Sequence, residues 1–232
     1  VYNAAWVVLL TGFIVPNVLR QSVSPLLAQA ENVGEIRDNI AGCRVISYPL
    51  ISVGIPGSII ISETILGAIF PDEYFVERGF PDIVGTKLFT LLLPAWVWAM
   101  LASGTLESLK FHPNSWALAF VIGSSILINL TLGMVLVMEW AIFGVAIATI
   151  MAQFSIFALS SIVQILNKVS SLNIVLIDLI TGLLATIALV SLAIGESNVW
   201  QFSMLWLYLV LVGTSSYQIF RYPGLLSRSS HT

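Results

Sequence analysis

Long apolar segments, separated by short polar ones, cover most of the chain. They are continuously apolar and do not alternate as the strands of a membrane β-barrel do. An α-helix needs about 20 largely apolar residues to cross a bilayer. Seven segments meet this requirement and are predicted as transmembrane helices, at 4–28, 45–70, 83–106, 115–138, 141–165, 173–194 and 199–220. The pattern therefore predicts an all-α membrane protein, a bundle of about seven transmembrane helices.

The boundary between the fourth and fifth predicted helices is only the sequence Met138-Glu139-Trp140 in an otherwise apolar run. A single helix over 115–165 would be about 75 Å long, far more than one crossing requires. A charged residue followed by Trp suits the membrane interface, where aromatic rings favour the headgroup level. We therefore predict two helices joined by a tight hairpin.

Composition agrees with a bilayer environment and excludes several function classes. Hydrophobic residues make up 58% of the chain and charged residues 9%, whereas a typical soluble domain is about a quarter charged. The net charge of −3 and the lack of a Lys/Arg run exclude a nucleic-acid partner. The single cysteine, Cys43, is expected to be a lone thiol in a loop, and no metal ligand set is predicted.

The positions of Lys and Arg predict an orientation. With seven crossings, seven of the nine basic residues fall on one side of the membrane: Arg20, Arg37, Arg44, Lys110, Lys168, Arg221 and Arg228. The positive-inside rule makes that side cytoplasmic. The chain is therefore expected to begin outside the cytoplasmic membrane and to end inside it, as a multi-pass protein.

The stretch from Asn129 to Thr149 combines an Asn in an apolar helix, a short turn, and a run of small residues that opens the next helix. It resembles a recurrent hairpin of the polysaccharide-flippase (Wzx-like) branch of the multidrug/oligosaccharidyl-lipid/polysaccharide exporter superfamily. Five residues keep the family's pattern and spacing: Asn129, Gly144, Ala146, Ala148 and Thr149. Three depart from it: Gly133 for a second Asn, Met138 for a Pro, and Val145 for an Ala.

Two further stretches are similar to the same family. The opening Tyr-Asn-Ala-Ala at 2–5, leading to Ser-Pro-Leu-Leu at 24–27, resembles its eighth helix, and the sequence over 65–74 resembles the end of its ninth. The resemblance implies helices eight to fourteen of a fourteen-helix exporter. Residues 1–165 would form the C-terminal lobe with family landmarks, and 166–232 two further transmembrane helices and a short cytoplasmic tail. The N-terminal lobe, the implied partner, is absent from this sequence.

The function that the resemblance implies is transport. The chain would be part of a flippase that moves a polyprenyl-linked oligosaccharide or polysaccharide precursor across the cell membrane by alternating access, with no cofactor and no enzymatic activity. The sequence contains no Gly-x-x-x-x-Gly-Lys-Ser/Thr motif for ATP, so an ion gradient or the membrane potential is the expected energy source. Alternatives are a multidrug or cation antiporter of the same superfamily, an inactive fragment, or a membrane enzyme that uses the acidic segment 72–82.

Three polar residues within predicted helices are candidate site residues. Arg20 is a candidate for binding the substrate's pyrophosphate through paired donors, or else reaches the headgroups. Glu63 is a candidate carrier of the coupling proton, because burial raises the pKa of a carboxyl group, or else it reaches the outer interface or pairs with a polar neighbour. Asn129 either bonds another helix or lines the substrate cavity.

Three other residues have simpler expected roles. Asp178 is an ionisable group within a predicted helix; a local hydrogen bond on a peripheral helix is the expected role, with ion coupling as the alternative. Trp96 and Trp98 are candidates for stacking on sugar rings, although packing and interface anchoring are the commoner uses of Trp in membrane proteins.

Overall fold

The computed structural model describes residues 13–69, 85–111 and 116–194, which form helices and short turns without a strand. Five α-helices follow in order: α1 (Ile14–Ala28), α2 (Val33–Ile69), α3 (Gly85–Ser108), α4 (Trp116–Leu166) and α5 (Leu172–Ile194). A short 3-10 helix, Leu109–Phe111, extends α3. Four of the described helices, α2 to α5, are long and apolar enough to cross a bilayer. The predicted all-α class is confirmed, and these helices agree with a membrane protein.

The hydropathy pattern located most helix ends closely. The end of α1 and both ends of α3 and α5 lie within two residues of the predicted positions. The first twelve residues and the predicted seventh helix at 199–220 lie outside the described residues. So does the whole of the acidic segment 72–82 that the enzyme alternative requires.

The start of α2 differs from the prediction. The helix begins at Val33, not at 45, because polar side chains cap it: Asn32 Oδ1 accepts from the backbone N–H of Glu35 at 3.0 Å, and Glu35 Oε2 accepts from that of Glu31 at 2.8 Å. With 37 residues, α2 is about 55 Å long. Cys43 therefore lies buried inside this helix, and its predicted place in a loop is wrong.

The predicted hairpin within α4 is confirmed. The helical path is broken at Ala141, whose backbone angles (φ 45°, ψ −122°) are not helical. The two arms of α4, 116–140 and 142–166, run side by side in opposite directions, and Ser125 Oγ donates to the carbonyl of Ala152 at 3.0 Å. The segment is thus two packed helices joined at one residue.

Small residues let the two arms of α4 approach closely. Gly144 lies against the backbone of Leu136, and a Cβ placed on Gly133 would be 3.8 Å from the Cβ of Ala148. Gly144 and Ala148 belong to the run of small residues that opens the second arm, and both are buried. Such close approach is the usual basis of helix association in lipid.

The central helix of the bundle is α3. It packs against α1, α2, α4 and α5, and nearly all of its side chains are buried. Trp98 is 1% exposed, packs its ring against Phe154 and Phe157, and donates to Thr186 Oγ1 at 3.0 Å. Trp96 is also buried, over Gly54. Trp98 is therefore a packing residue of the core, and neither ring is open to a sugar here.

The first arm of α4 lies at the periphery, in contrast to α3. Its large apolar side chains are mostly more than half exposed; they include Trp116, Phe120, Leu127, Met134 and Met138. Lipid tails are a favourable environment for such a surface, whereas water is not. This distribution agrees with a membrane-embedded bundle.

Several helix ends meet at one end of the bundle. Arg37 on α2 donates to the carbonyls of Lys168 and Val169, at 2.8 and 3.0 Å, in the turn between α4 and α5. Gln164 near the end of α4 donates to Ser108 at the end of α3, at 2.5 Å. The basic residues Arg37, Arg44, Lys110 and Lys168 belong to these converging segments, and we call this the basic end.

Candidate functional site

Two opposite charges meet inside the bundle. Arg44 Nε on α2 donates to Asp178 Oδ2 on α5 at 2.6 Å, and the side chains are 6% and 0% exposed. Tyr48 donates its hydroxyl to Asp178 Oδ1, also at 2.6 Å, and is fully buried. Both carboxylate oxygens of Asp178 are therefore bonded by residues of α2. We call Arg44, Tyr48 and Asp178 the ion-pair cluster.

Helical spacing explains how α2 presents these groups together. Arg44 and Tyr48 are four residues apart and share one face of the helix, and Arg37, seven residues before Arg44, lies on the same face. Asp178 follows the start of α5 by six residues, which places it about 9 Å along that helix. The cluster thus lies inside the bundle but near its basic end.

The surroundings of Arg44 are closely packed. Arg44 Nη2 makes a long contact of 3.5 Å with Ser170 Oγ. A cleft beside Arg44, lined by Cys43, Ser103 and other residues of α2 and α3, is too narrow to admit a water molecule. The charges of the cluster are therefore stabilised by one another and by hydrogen bonds.

Stability alone is a poor explanation for such a pair. Removing each ion from water costs several kcal/mol, and apolar residues of similar volume often stabilise a fold as well or better. Ionisable groups inside a membrane protein are therefore functional candidates by default. The ion-pair cluster is the candidate functional site of the described residues.

The helices that the cluster bridges make little backbone contact with each other. Both α2 and α5 pack along α3, but few of their Cα atoms come within 8 Å of each other. Long polar side chains span the gap: Arg44 and Tyr48 reach Asp178, and Arg37 reaches the turn before α5. Polar side chains of α2 thus connect it to α5 and to the turn before it.

A second polar group joins α3 to α4 at the basic end. Glu107 is buried and pairs with the half-exposed Lys110 at 2.7 Å. Thr105 and Ser160 share a hydrogen bond of 3.0 Å across the two helices. The buried atoms Ser161 Oγ and Gln164 Oε1 have no hydrogen-bond partner among the described residues. A polar layer therefore surrounds the ends of α3 and α4.

The three predicted site residues lie on separate elements. Arg20, on α1, is half-buried and donates to Asn17 of its own helix; the charge that acts on it is that of Glu107. Glu63 belongs to α2, but its side chain lies outside the described residues. Asn129, in the first arm of α4, is half-buried and makes no side-chain hydrogen bond within the described part of the chain. The structure does not bring them together.

Sequence reasoning missed the cluster itself. Arg44 was expected in a loop, whereas it lies within α2 and is buried. Asp178 was expected to make a local bond on a peripheral helix, but it is fully buried, and its partner Arg44 is 134 positions away. The sequence did contain a signal for this cluster. One predicted helix has a lone acid, Asp178, and Arg44 and Tyr48, four residues apart, lie around the start of the predicted helix at 45–70.

The chemistry open to this site is proton uptake by a carboxylate and exchange of a charge partner. The described residues include no group of three or more His, Cys, Asp or Glu that could hold a metal ion. A comparison of the chain with family models, curated proteins and solved structures finds no match.

Proposed function

We propose that this chain is the C-terminal part of a membrane transporter that flips lipid-linked oligosaccharide or polysaccharide precursors across the cytoplasmic membrane. The observation that carries the proposal is the α4 hairpin. Its arms contain the residues that resemble the Wzx-like hairpin, and Gly144, Ala146, Ala148 and Thr149 are buried in the bundle. The α4 hairpin thus combines a tight turn, close packing of small residues and the sequence pattern of the family, and this combination supports the proposal.

The proposed topology has seven crossings. The two arms of α4 count separately, and the predicted helices at 4–28 and 199–220 complete the set. The basic end supports this count, because an odd number of crossings places its residues on the same side as the C-terminal Arg221 and Arg228. That side is the cytoplasmic one by the positive-inside rule, with the start of the chain outside.

In the proposed mechanism this bundle rocks against the N-terminal lobe, so that a cavity between them opens to each leaflet in turn. Arg20 would bind the pyrophosphate of the polyprenyl-linked glycan, and Asn129 would line the path of the sugar. No cofactor and no bond-breaking step is involved. The charged Arg20 and the neutral Asn129 lie on separate helices. They suit a long amphipathic cargo, whose pyrophosphate is charged and whose sugar is neutral.

The test is a flipping assay in liposomes with the protein encoded by the complete reading frame. A fluorescent polyprenyl-pyrophosphate oligosaccharide is followed as it moves between leaflets. Arg20→Gln should lower the initial rate about tenfold, the effect of losing one charge-assisted hydrogen bond. Arg20→Lys is the matched control for charge, and it should recover only part of the rate because it lacks paired donors.

Two results would contradict the proposal. Efflux of a cationic dye without movement of the lipid-linked sugar would indicate an antiporter of the same superfamily. Movement of neither compound by the wild-type protein would indicate an inactive chain.

A further inference from the structure

We propose that Asp178 is a proton-binding site, and that the ion-pair cluster is a clasp between α2 and α5 that opens when Asp178 takes up a proton. Proton uptake and opening follow from the geometry of the cluster. Only their use, to couple a proton to transport, rests on the proposed function.

The negative charge of Asp178 is stabilised by groups of a single helix. Among the described residues, the charged and titratable groups that act on it are Arg44 and Tyr48, both on α2. The acid of α3 at this end, Glu107, is paired with Lys110 instead, and the hydroxyl of Ser170 in the neighbouring turn contacts Arg44 and not Asp178. One proton on Asp178 therefore changes the whole electrostatic balance of the cluster.

A proton fits this site and a metal cation does not. The guanidinium of Arg44 already neutralises the carboxylate at 2.6 Å, so a sodium ion at Asp178, which is fully buried, would meet a positive charge already in place. A proton instead forms a covalent O–H bond at Oδ2. The bond from Arg44 Nε then loses its anionic acceptor, and the cluster changes from neutral to a net charge of +1.

The consequence for Arg44 follows from its burial. A guanidinium without a counter-ion is strongly unfavourable in a dry interior, so it moves towards water. The nearest polar route is the basic end, through Ser170 at 3.5 Å and the turn that Arg37 holds. Tyr48 can still donate to Oδ1 of the neutral carboxyl group, which keeps Asp178 in place.

Opening at this position disturbs little else. The backbones of α2 and α5 hardly approach each other, and each helix keeps its own packing on α3. If a salt bridge lay within a closely packed interface, apolar contacts would still hold the two helices together after the salt bridge broke. Here the Arg44–Asp178 pair is one of the few polar links between α2 and the segment that begins α5, beside those of Tyr48 and Arg37, so its loss lets the two helices move apart around the basic end.

Proton uptake is tested by infrared difference spectroscopy on the chain in liposomes, between alkaline and acidic buffer. A buried carboxylic acid C=O band should appear on acidification. It should be lost in the double variant Arg44→Met/Asp178→Asn, which carries neither charge and so leaves no ion unpaired. Asp38→Asn, an exposed acid of α2, is the control and should keep the band. A band that persists in the double variant overturns the proposal.

Opening is tested by the distance between spin labels at Asp38→Cys and Asn173→Cys, both exposed near the basic end, in a Cys43→Ala background. The distance should lengthen on acidification, and the double variant should show no dependence on pH. A distance that is unchanged while wild type titrates identifies a purely structural ion pair and overturns the clasp. Lengthening caused by inorganic pyrophosphate at constant pH overturns the proton as the trigger.

The flipping assay separates this inference from the proposed function. Titration and opening without flipping would refute the flippase and retain the clasp. If a proton gradient drives flipping equally well in wild type and in the double variant, that result would refute the coupling role of Asp178 but leave the proposed lipid-linked sugar as the substrate.

Discussion

Asp178 is bonded by two groups of different kinds on the same helix face. Arg44 supplies a full charge, and Tyr48 supplies a neutral donor four residues further along α2. The carboxylate thereby loses its hydration but keeps a partner on each oxygen. This arrangement satisfies every strong acceptor of the acid, which is the condition for burying it at all.

Removing one charge of this pair should therefore be worse than removing both. We expect Asp178→Leu to lower the free energy of unfolding by about 3–5 kcal/mol, because Arg44 is left buried without a counter-ion. The double variant Arg44→Met/Asp178→Leu should recover most of that loss. Unfolding in detergent micelles compares wild type, both single variants and the double variant, with Asp38→Asn as the exposed control. Strictly additive effects of the two substitutions would show that the charges are not coupled.

At the scale of the element, α4 shows how a membrane helix pair is joined without a loop. The break at Ala141 reverses the chain within a single residue of non-helical geometry. The arms can then pack from the turn onward only because Gly144 lets the backbone of Leu136 lie against it. The hairpin thus depends on one position where no side chain fits.

A matched pair of glycines tests this dependence. Gly144→Ala places a methyl group against the Leu136 backbone, which cannot move as a side chain can, so it should lower the unfolding temperature. Gly123→Ala, in the first arm, meets nothing within 4 Å and should be neutral or slightly stabilising, since Ala favours helix by about 1 kcal/mol. Thermal unfolding compares them. Equal stability of both variants would contradict the close packing of the arms.

At the scale of the whole molecule, α3 organises the bundle and the basic end gives it polarity. Four helices surround α3, and the segments that contain Arg37, Lys110 and Lys168 converge beyond its C-terminal end. Under the positive-inside rule, the proposed topology places this basic end on the cytoplasmic side. The hairpin turn around Glu139 lies at the far end of the arms.

Cysteine accessibility in intact cells tests this polarity. In a Cys43→Ala background, Lys110→Cys and Lys168→Cys should both resist a membrane-impermeant maleimide until the cells are opened. Glu139→Cys, exposed at the turn of α4, should react from outside. Labelling of Lys110→Cys and Lys168→Cys from opposite sides would refute the proposed topology and with it the flippase.

The sequence determined the features that depend on local hydropathy. Twenty apolar residues in a row identify a helix whatever its neighbours are, so α3, α5 and both arms of α4 were predicted with nearly correct ends. The predicted start of α2 was wrong because five polar side chains interrupt the apolar pattern over 33–44, where the structure has a helix that Asn32 and Glu35 cap. That capping pair was present in the sequence and outweighs the hydropathy signal.

Only the tertiary structure decided which polar groups meet. Arg44 and Asp178 are 134 positions apart, and their pairing depends on how two helices are rotated around α3. Rotation is set by the packing of Trp98, Gly104 and similar core residues on several helices at once, and no local pattern encodes it. The sequence alone therefore specified an all-helical membrane chain, while the long-range packing created the buried ion pair.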